Sequence, residues 1–370
     1  MRRKRNRGED LNILFSFPRP AETSNPYVTN LVEGVQRHGV TPRFFSLRAV
    51  LIGPVDVVHV HWPEGLTEGS TWLRMLVKRA LTAVLLARVR LRSIPVVRTV
   101  HNLKPHEGAS RLGLLLDKIL ERITDARIYL NEADEDRPDG SVVILHPRYD
   151  ELQSNTPRGD PSGSRVFSFG FLRPYKGYET LINIWRDVCA PAELTVAGGM
   201  AGNPNYRDRL AALVAEVDGV TLQDVFLPED ELQQRIKQST LVVLPYASAY
   251  NSGAVLLALS LGVPVLTGRS SSMEALRREV GDKWLHLFDA PVTADAVEAA
   301  LASARQTAAD APDLHRRDMC DGARMHVALY QALWAAGHRG RWYLNRAAQE
   351  LFANHSPLNR GLGREIGDDV

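Results

Sequence analysis

"FGFLRPYKGYETLI", residues 169–182, is the stretch on which the reading of the fold turns. It is the end of an apolar strand, then a short loop with Arg173 and Lys176, then a helix from about Tyr178. A strand that passes through a short polar loop into a helix is half of a βαβ unit. The pattern recurs on both sides. "LNILFSF", "RFFSL", "VDVVHVH", "IPVVRTV", "ARIYL" and "SVVIL" are candidate strands before it. "SRVFSFG", "AELTVAG", "GVTL", "TLVVLP", "GVPVLTG" and "KWLHLF" are the second set. Runs of Val, Ile and Phe without strict alternation suit strands buried on both faces. Their alternation with helical stretches predicts an α/β protein with two parallel sheets.

The polar stretch "DELQSNTPRGDPSGS", Asp150–Ser164, is rich in Pro, Gly and Ser and reads as a linker. The expected organisation is a first domain over 1–150, a linker over 151–164 and a second domain over 165–320. The segment 321–353, with Trp334, Trp342 and Tyr343, reads as C-terminal helices that pack back on the first domain. Residues 354–370 read as a frayed tail.

With 370 residues, 44% hydrophobic and 24% charged, the chain has the balance of a globular protein with room for two cores. A net charge of +2 argues against nucleic acid as a partner. Cys189 and Cys320 make no disulfide framework and no metal-type spacing, so a reducing cytoplasm is expected. Glu9 and Asp10 interrupt the basic start where a signal peptide would become apolar, and no window approaches 18 consecutive apolar residues.

In open parallel sheets, ligands bind beyond the carboxyl ends of the strands. Those ends are polar and aromatic here. "VHVHWPE" supplies His61, Trp62 and Glu64; "RTVHNLKPHE" supplies His101, Asn102, His106 and Glu107; "ILHPRY" supplies His146. "FSFPRP" leads to Arg19, and "NPY" places Asn25 and Tyr27 before a helix. Such groups suit sugar hydroxyls or proton transfer. His59 lies inside its strand and reads as structural. His59 and His61 face one way without a compact third ligand, and "DED" at Asp134–Asp136 reads as a solvated turn, so no metal site is expected. In the second half, Lys176 and Arg173 beside a strand end suit a diphosphate, as does the small-residue helix start Asn251–Ser252–Gly253. "VAGGM" adds Gly199 at another strand end. No GxxxxGK[ST] or GxGxxG is present.

In their order, "GFLRPYKG", "VAGG", "PEDELQQRIKQSTLVVLPY" and "SGAVLLALSLGVPVL" resemble the group 1 family of GT-B glycosyltransferases. The likeness spans about the whole chain and is strongest from Val166 to Thr267. It implies two Rossmann-like domains facing each other across a cleft, an acceptor side first and a nucleotide-sugar side second. It implies that Lys176 holds the donor diphosphate, with Arg173, Gly170, Gly199, Tyr246, Asn251, Ser252 and Gly253 around the donor. The family often has an arginine five positions before that lysine, where this chain has Phe171. Retaining members carry two glutamates where this chain has Ala249 and Leu257, which points to an inverting transfer. "HWPE" together with "TVHN…PHE" resembles a subgroup of exopolysaccharide enzymes that includes inverting β-mannosyltransferases.

The expected activity is hexosyl transfer from a nucleotide-diphosphate sugar, GDP-mannose or a UDP-sugar, without a cofactor or metal. The acceptor would be a glycan or a lipid-linked saccharide of the cell envelope. Glu64, His101, His61 and Glu107 are the candidate bases; Arg19, Asn25, Tyr27, Trp62, Asn102 and His146 would meet the acceptor. A sugar-nucleotide epimerase would need carboxylates in both domains, and a two-domain sugar-binding protein would need no diphosphate site. Finally, "WLRMLVKRALTAVLLARVRLR", residues 72–92, carries six basic residues from Arg74 to Arg92 and an apolar stripe at Leu73, Leu76, Val77, Ala80 and Val84. It is expected either to cover the sheet with a solvated basic face or to rest on an anionic membrane, peripherally on its inner side.

Overall fold

The computed structural model describes residues 10–21, 25–69, 71–101, 111–133, 137–138, 140–149, 164–199, 204–247, 249–307 and 311–336. Asn102, His106, Glu107, the Asp134–Asp136 triplet, most of the expected linker, Trp342, Tyr343 and the tail lie outside the described residues. The chain divides into two compact units, Met1–His146 with Arg316–Val370, and Pro147–His315.

The first unit is built from β1 (Leu11–Phe15), α1 (Pro26–Arg37), β2 (Val40–Phe44), α2 (Leu47–Leu51), β3 (Val57–Val60), α3 (Glu64–Thr67), α4 (Trp72–Arg92), β4 (Val96–Val100), α5 (Arg111–Ile123), β5 (Ala126–Tyr129) and β6 (Ser141–Val143). Its strands form one parallel sheet in the order β2-β1-β3-β4-β5-β6. Alternate residues of a strand feed cores on opposite faces: Ile13 and Phe15 join one cluster, Leu14 the other. This two-sided burial is why the strands read as continuous apolar runs.

One strand expectation needs correcting. "RFFSL" is not itself the strand: β2 starts at Val40, just after Gly39 in the left-handed region (φ 82°). It ends at Phe44 because the Ser46 side chain accepts from the Ala49 N–H and starts α2. Pro42, which has no N–H for a ladder, fits because β2 is an edge strand.

The second unit holds β7 (Arg165–Phe169), α6 (Tyr178–Ile184), β8 (Glu193–Ala197), α7 (Pro204–Ala215), β9 (Val220–Gln223), α8 (Glu229–Lys237), β10 (Leu241–Leu244), α9 (Gly253–Ser260), β11 (Val265–Gly268), α10 (Ser271–Val280), β12 (Leu285–Phe288) and α11 (Ala294–Arg305). The parallel sheet runs β12-β11-β10-β7-β8-β9. Counted within the unit this is the doubly wound order of dinucleotide-binding sheets, and its strand order reverses between β7 and β10.

The last described helix, α12 (Met319–Ala336), belongs to the first unit and packs along α1. The approach is close: a Cβ on Gly34 of α1 would come within 2.8 Å of the Ala323 Cβ. Val327, Leu329, Tyr330 and Leu333 complete the core cluster that includes Ile13, Phe15 and Val97.

Candidate active site

The strand order reverses between β7 and β10, and sheets of this kind hold ligands at the carboxyl ends of the strands at such a reversal. Lys176 is found there. It closes a single 3-10 turn, Pro174–Lys176, that ends at Gly177 in the left-handed region (φ 77°). A side chain at 177 would also collide with the Pro245 carbonyl oxygen, so glycine is required on two counts. The Lys176 ammonium lies 5.0 Å from the centroid of the Tyr246 ring. Gly170 leaves room beside it, since a Cβ there would sit 3.5 Å from Lys176 Nζ and 3.7 Å from the hydroxyls of Tyr178 and Tyr246.

Tyr178 donates its hydroxyl proton to the Phe169 carbonyl at 3.0 Å. The hydroxyls of Tyr178 and Tyr246 are hydrogen-bonded to each other. This chain fixes the ring under the ammonium. Among the described residues no carboxylate pairs with Lys176. Burial, with help from the neighbouring Arg173, lowers its pKa from 10.5 to about 8. An ammonium with no carboxylate partner among the described residues, at a sheet's ligand end, suits an anion.

A second set of groups follows β10. Ser252 caps α9, its hydroxyl accepting from Val255 N–H at 3.3 Å, and Gly253 is the first helical residue. Asn251 is half-buried just before them. The loop is pinned from α10: Ser270 donates to the Ala249 carbonyl, and Ser272 shares its one hydroxyl proton between the carbonyls of Ala249 and Tyr250. Gly198 and Gly199 end β8. A Cβ at Gly198 would strike the Gly170 carbonyl, whereas Gly199 faces open space. Ala249 and Leu257 pack into an apolar core cluster, so these two positions bring no carboxylate to the site.

In the first unit the histidines gather. His59 is fully buried, with Nδ1 2.6 Å from the Tyr330 hydroxyl and Nε2 2.8 Å from Thr99 Oγ1. His61 is 1% exposed, and its Nδ1 lies 3.0 Å from His101 Nε2. Trp62 stacks on His101 at 4.3 Å between centroids with 17° between planes. Tyr27 meets the rings of His61, His101 and His146. Burial holds His59, His61, His101 and His326 neutral: His59 and His61 lie well below the usual 6.5, His101 is lowered to about 3 with His146 contributing, and His326 to about 4.

These contacts redistribute the candidates. His61 was expected at a strand end with access to substrate; it is sealed in the core and bonded to His101, so it supports its neighbour instead. Glu64 does not end a strand: it follows β3 by several residues and opens α3, because Pro63 introduces a helical turn. It is half-buried there. Asn25 spends its side-chain oxygen on capping α1 through Tyr27 N–H at 3.0 Å. Tyr27 and His146 are buried, and Arg19 is exposed beyond β1. Sequence reasoning missed Tyr178, Ser270, Ser272, Thr99, His326 and Tyr330. The tyrosine two positions after Lys176 was the only one with a local signal.

Among the described residues no three His, Cys, Asp or Glu side chains gather as metal ligands, and no helix is long and apolar enough to cross a membrane.

Residues 163–303 match the family model described as glycosyl transferases group 1. The chain is 35% identical over 322 residues to the GDP-mannose:glycolipid 4-β-D-mannosyltransferase of Xanthomonas campestris pv. campestris, covering 86% of this chain and 92% of that one. Among solved structures it is similar to HepE of Anabaena in complex with UDP, with a TM-score of 0.57, 14% identity and coverage of 93% and 100%. It is also similar to an α,α-trehalose-phosphate synthase (UDP-forming) of Burkholderia vietnamiensis, with a TM-score of 0.60, 11% identity and coverage of 90% and 99%. The fold of both units is thus the GT-B one.

Proposed function

Because the chain belongs to the group 1 glycosyltransferases, we propose that it transfers mannose from GDP-mannose to a glycolipid, inverting the anomeric centre without a metal ion. The observation that carries the proposal is Lys176, a half-buried ammonium without a carboxylate partner among the described residues, at the end of the doubly wound sheet. The donor diphosphate is its counter-ion. Arg173 and the N-terminus of α9 at Ser252 and Gly253 share the charge that grows as the phosphate leaves. The name of the 35% identical relative favours GDP-mannose over a UDP-sugar and transfer over epimerisation.

In an inverting transfer, a base takes the proton of the acceptor hydroxyl while its oxygen attacks C1, and the bond from C1 to the diphosphate breaks. Glu64 is the base we assign. His101, with a pKa lowered to about 3, is too weak a base near neutrality and serves as a neutral hydrogen-bonding group at the sugar. The core positions of Ala249 and Leu257 favour inversion, since the glutamates of retaining relatives have no counterpart there. The test is to incubate the protein with GDP-mannose and a glycolipid acceptor in the presence of EDTA and to read the new linkage by NMR. A β-mannoside is expected. An α-mannoside would overturn inversion, and loss of activity restored by a divalent cation would overturn metal independence.

Contact with a membrane surface is part of the same proposal, and α4 supports it. The stripe Leu73, Leu76, Val77 and Val84 is exposed, together with Trp72 at 70% and Leu91 at 85%. The opposite side, with Leu85, Leu86 and Val89, packs on the sheet. The stripe lies with Arg74, Arg90 and Arg92 on the outer side, whereas Lys78 and Arg79 donate to the carbonyls of Gly65 and Thr67 and the Arg88 guanidinium donates to those of Ala49, Val50 and Gly53. An apolar and basic outer face fits an anionic bilayer, each nearby charge adding about 1 kcal/mol. Flotation with anionic liposomes at low salt tests this; a protein that stays at the bottom of the gradient refutes it.

A further inference from the structure

Four large apolar side chains stand exposed among the described residues of the second unit: Phe171 (51%), Tyr175 (68%), Val225 (48%) and Phe226 (62%). All four lie on two loops, the one after β7 and the one after β9. Those strands flank β8 in the sheet, so the loops border the end of β8 at Gly198 and Gly199. Backbone bonds tie both loops to it: Gly198 N–H donates to Gln223 O at 3.0 Å, and Leu172 N–H donates to Gly199 O at 3.2 Å. Across this end the rings of Phe171 and Phe226 approach to 6.3 Å between centroids, inclined by 37°. The Arg173 guanidinium lies 6.0 Å from the Phe171 centroid. Gly199 leaves open space. Phe171 follows Gly170, which borders the Lys176 ammonium.

Exposed aromatic rings gathered at the ligand end of a sheet call for an occupant. The occupant needs a flat apolar ring system joined to a nearby anion, because Arg173 adjoins the Phe171 ring and Lys176 borders Gly170, the residue before it. A nucleoside diphosphate has that build, and two phenyl rings offer more area than a pyrimidine covers. We propose that Phe171 and Phe226 form a stacking platform for the purine base of the donor nucleotide. Phe171 stands where the family often has an arginine, so a charge is replaced by a ring and Arg173 supplies the cation from two residues further on. The inference rests on the reading of this unit as a nucleotide-sugar site.

The experiment measures binding of GDP, UDP and inorganic pyrophosphate to the full-length protein by calorimetry. The variants are Phe171→Ala, Phe226→Ala, Phe226→Leu and Phe226→Tyr. Stacking on an aromatic ring implies a loss of about ten-fold in GDP affinity for each alanine variant. Pyrophosphate binding should stay within about two-fold, because it has no base. Phe226→Tyr should keep GDP affinity and Phe226→Leu should lose it, since a ring is required and apolar area alone is not. GDP should bind wild-type protein more tightly than UDP. If the alanine variants bind GDP like wild type, or lose pyrophosphate and GDP equally, the platform is refuted while the donor reading stands. If wild-type protein binds neither nucleotide, the donor reading fails and takes the platform with it.

Discussion

Raising the pH from 7 to 9 should weaken GDP binding about ten-fold, through Lys176 alone. Burial beside Arg173 brings the pKa of this lysine down to about 8. About nine-tenths of it is then charged at pH 7 and about one-tenth at pH 9. A diphosphate that binds the charged form has its apparent affinity scaled by that fraction, which gives the ten-fold loss. A lysine of ordinary pKa, near 10.4, would leave affinity almost unchanged over the same range. The bound anion also raises the lysine's pKa again, so binding between about pH 8 and 9 takes up a proton. Stability moves the other way. The folded pKa lies below the unfolded one, so between about 8 and 10.5 the unfolded chain binds more protons and stability rises with pH. Calorimetric titration of GDP at pH 7, 8 and 9, in two buffers of different ionisation enthalpy, measures both affinity and proton uptake. Lys176→Arg keeps its charge throughout and should abolish the slope. A flat wild-type profile, or the same slope in the arginine variant, would refute the assignment.

Glu64→Gln should lower kcat by about 10²–10⁴-fold and leave the KM for the donor within about two-fold, as loss of a base predicts; steady-state kinetics with full turnover would remove Glu64 from the mechanism. Gly177→Ala forces a side chain into a left-handed position against the Pro245 carbonyl. It should destabilise the protein by roughly 1–3 kcal/mol and also weaken GDP binding, because Lys176 is displaced; thermal unfolding and calorimetry read the two effects. Tyr330→Phe leaves His59 Nδ1 without its buried partner. Urea unfolding should show a loss of about 1–3 kcal/mol, and an unchanged midpoint would mean that the bond contributes nothing.

Legibility of the sequence followed the range of the interaction. Lys176 and Gly177 could be read because a strand, a turn and a helix start lie within a few residues of one another. The tyrosine chain behind Lys176 could not, since Tyr246 comes from a strand end far along the sequence. His59 read as structural from its place inside β3, but its partner Tyr330 is 271 positions away and no spacing rule reaches it. Helical spacing grouped Leu73, Leu76, Val77 and Val84 on one face of α4, yet spacing alone never says which face is covered. β2 was displaced because the edge position that tolerates Pro42 is a property of the sheet.

The helix that brings His326 and Tyr330 to the first unit has a consequence for the order in which the protein is made. A ribosome delivers residues 1–146 long before Met319–Ala336, with about 170 residues of the second unit between them. At roughly 5–20 residues per second, the nascent first sheet waits some ten to thirty seconds for its last helix. During that interval the core cluster lacks Ala323, Val327, Leu329, Tyr330 and Leu333, and His59 has no phenol. The unit begun first is finished last, and the second unit folds while the first is still open to chaperones, proteases and other nascent chains.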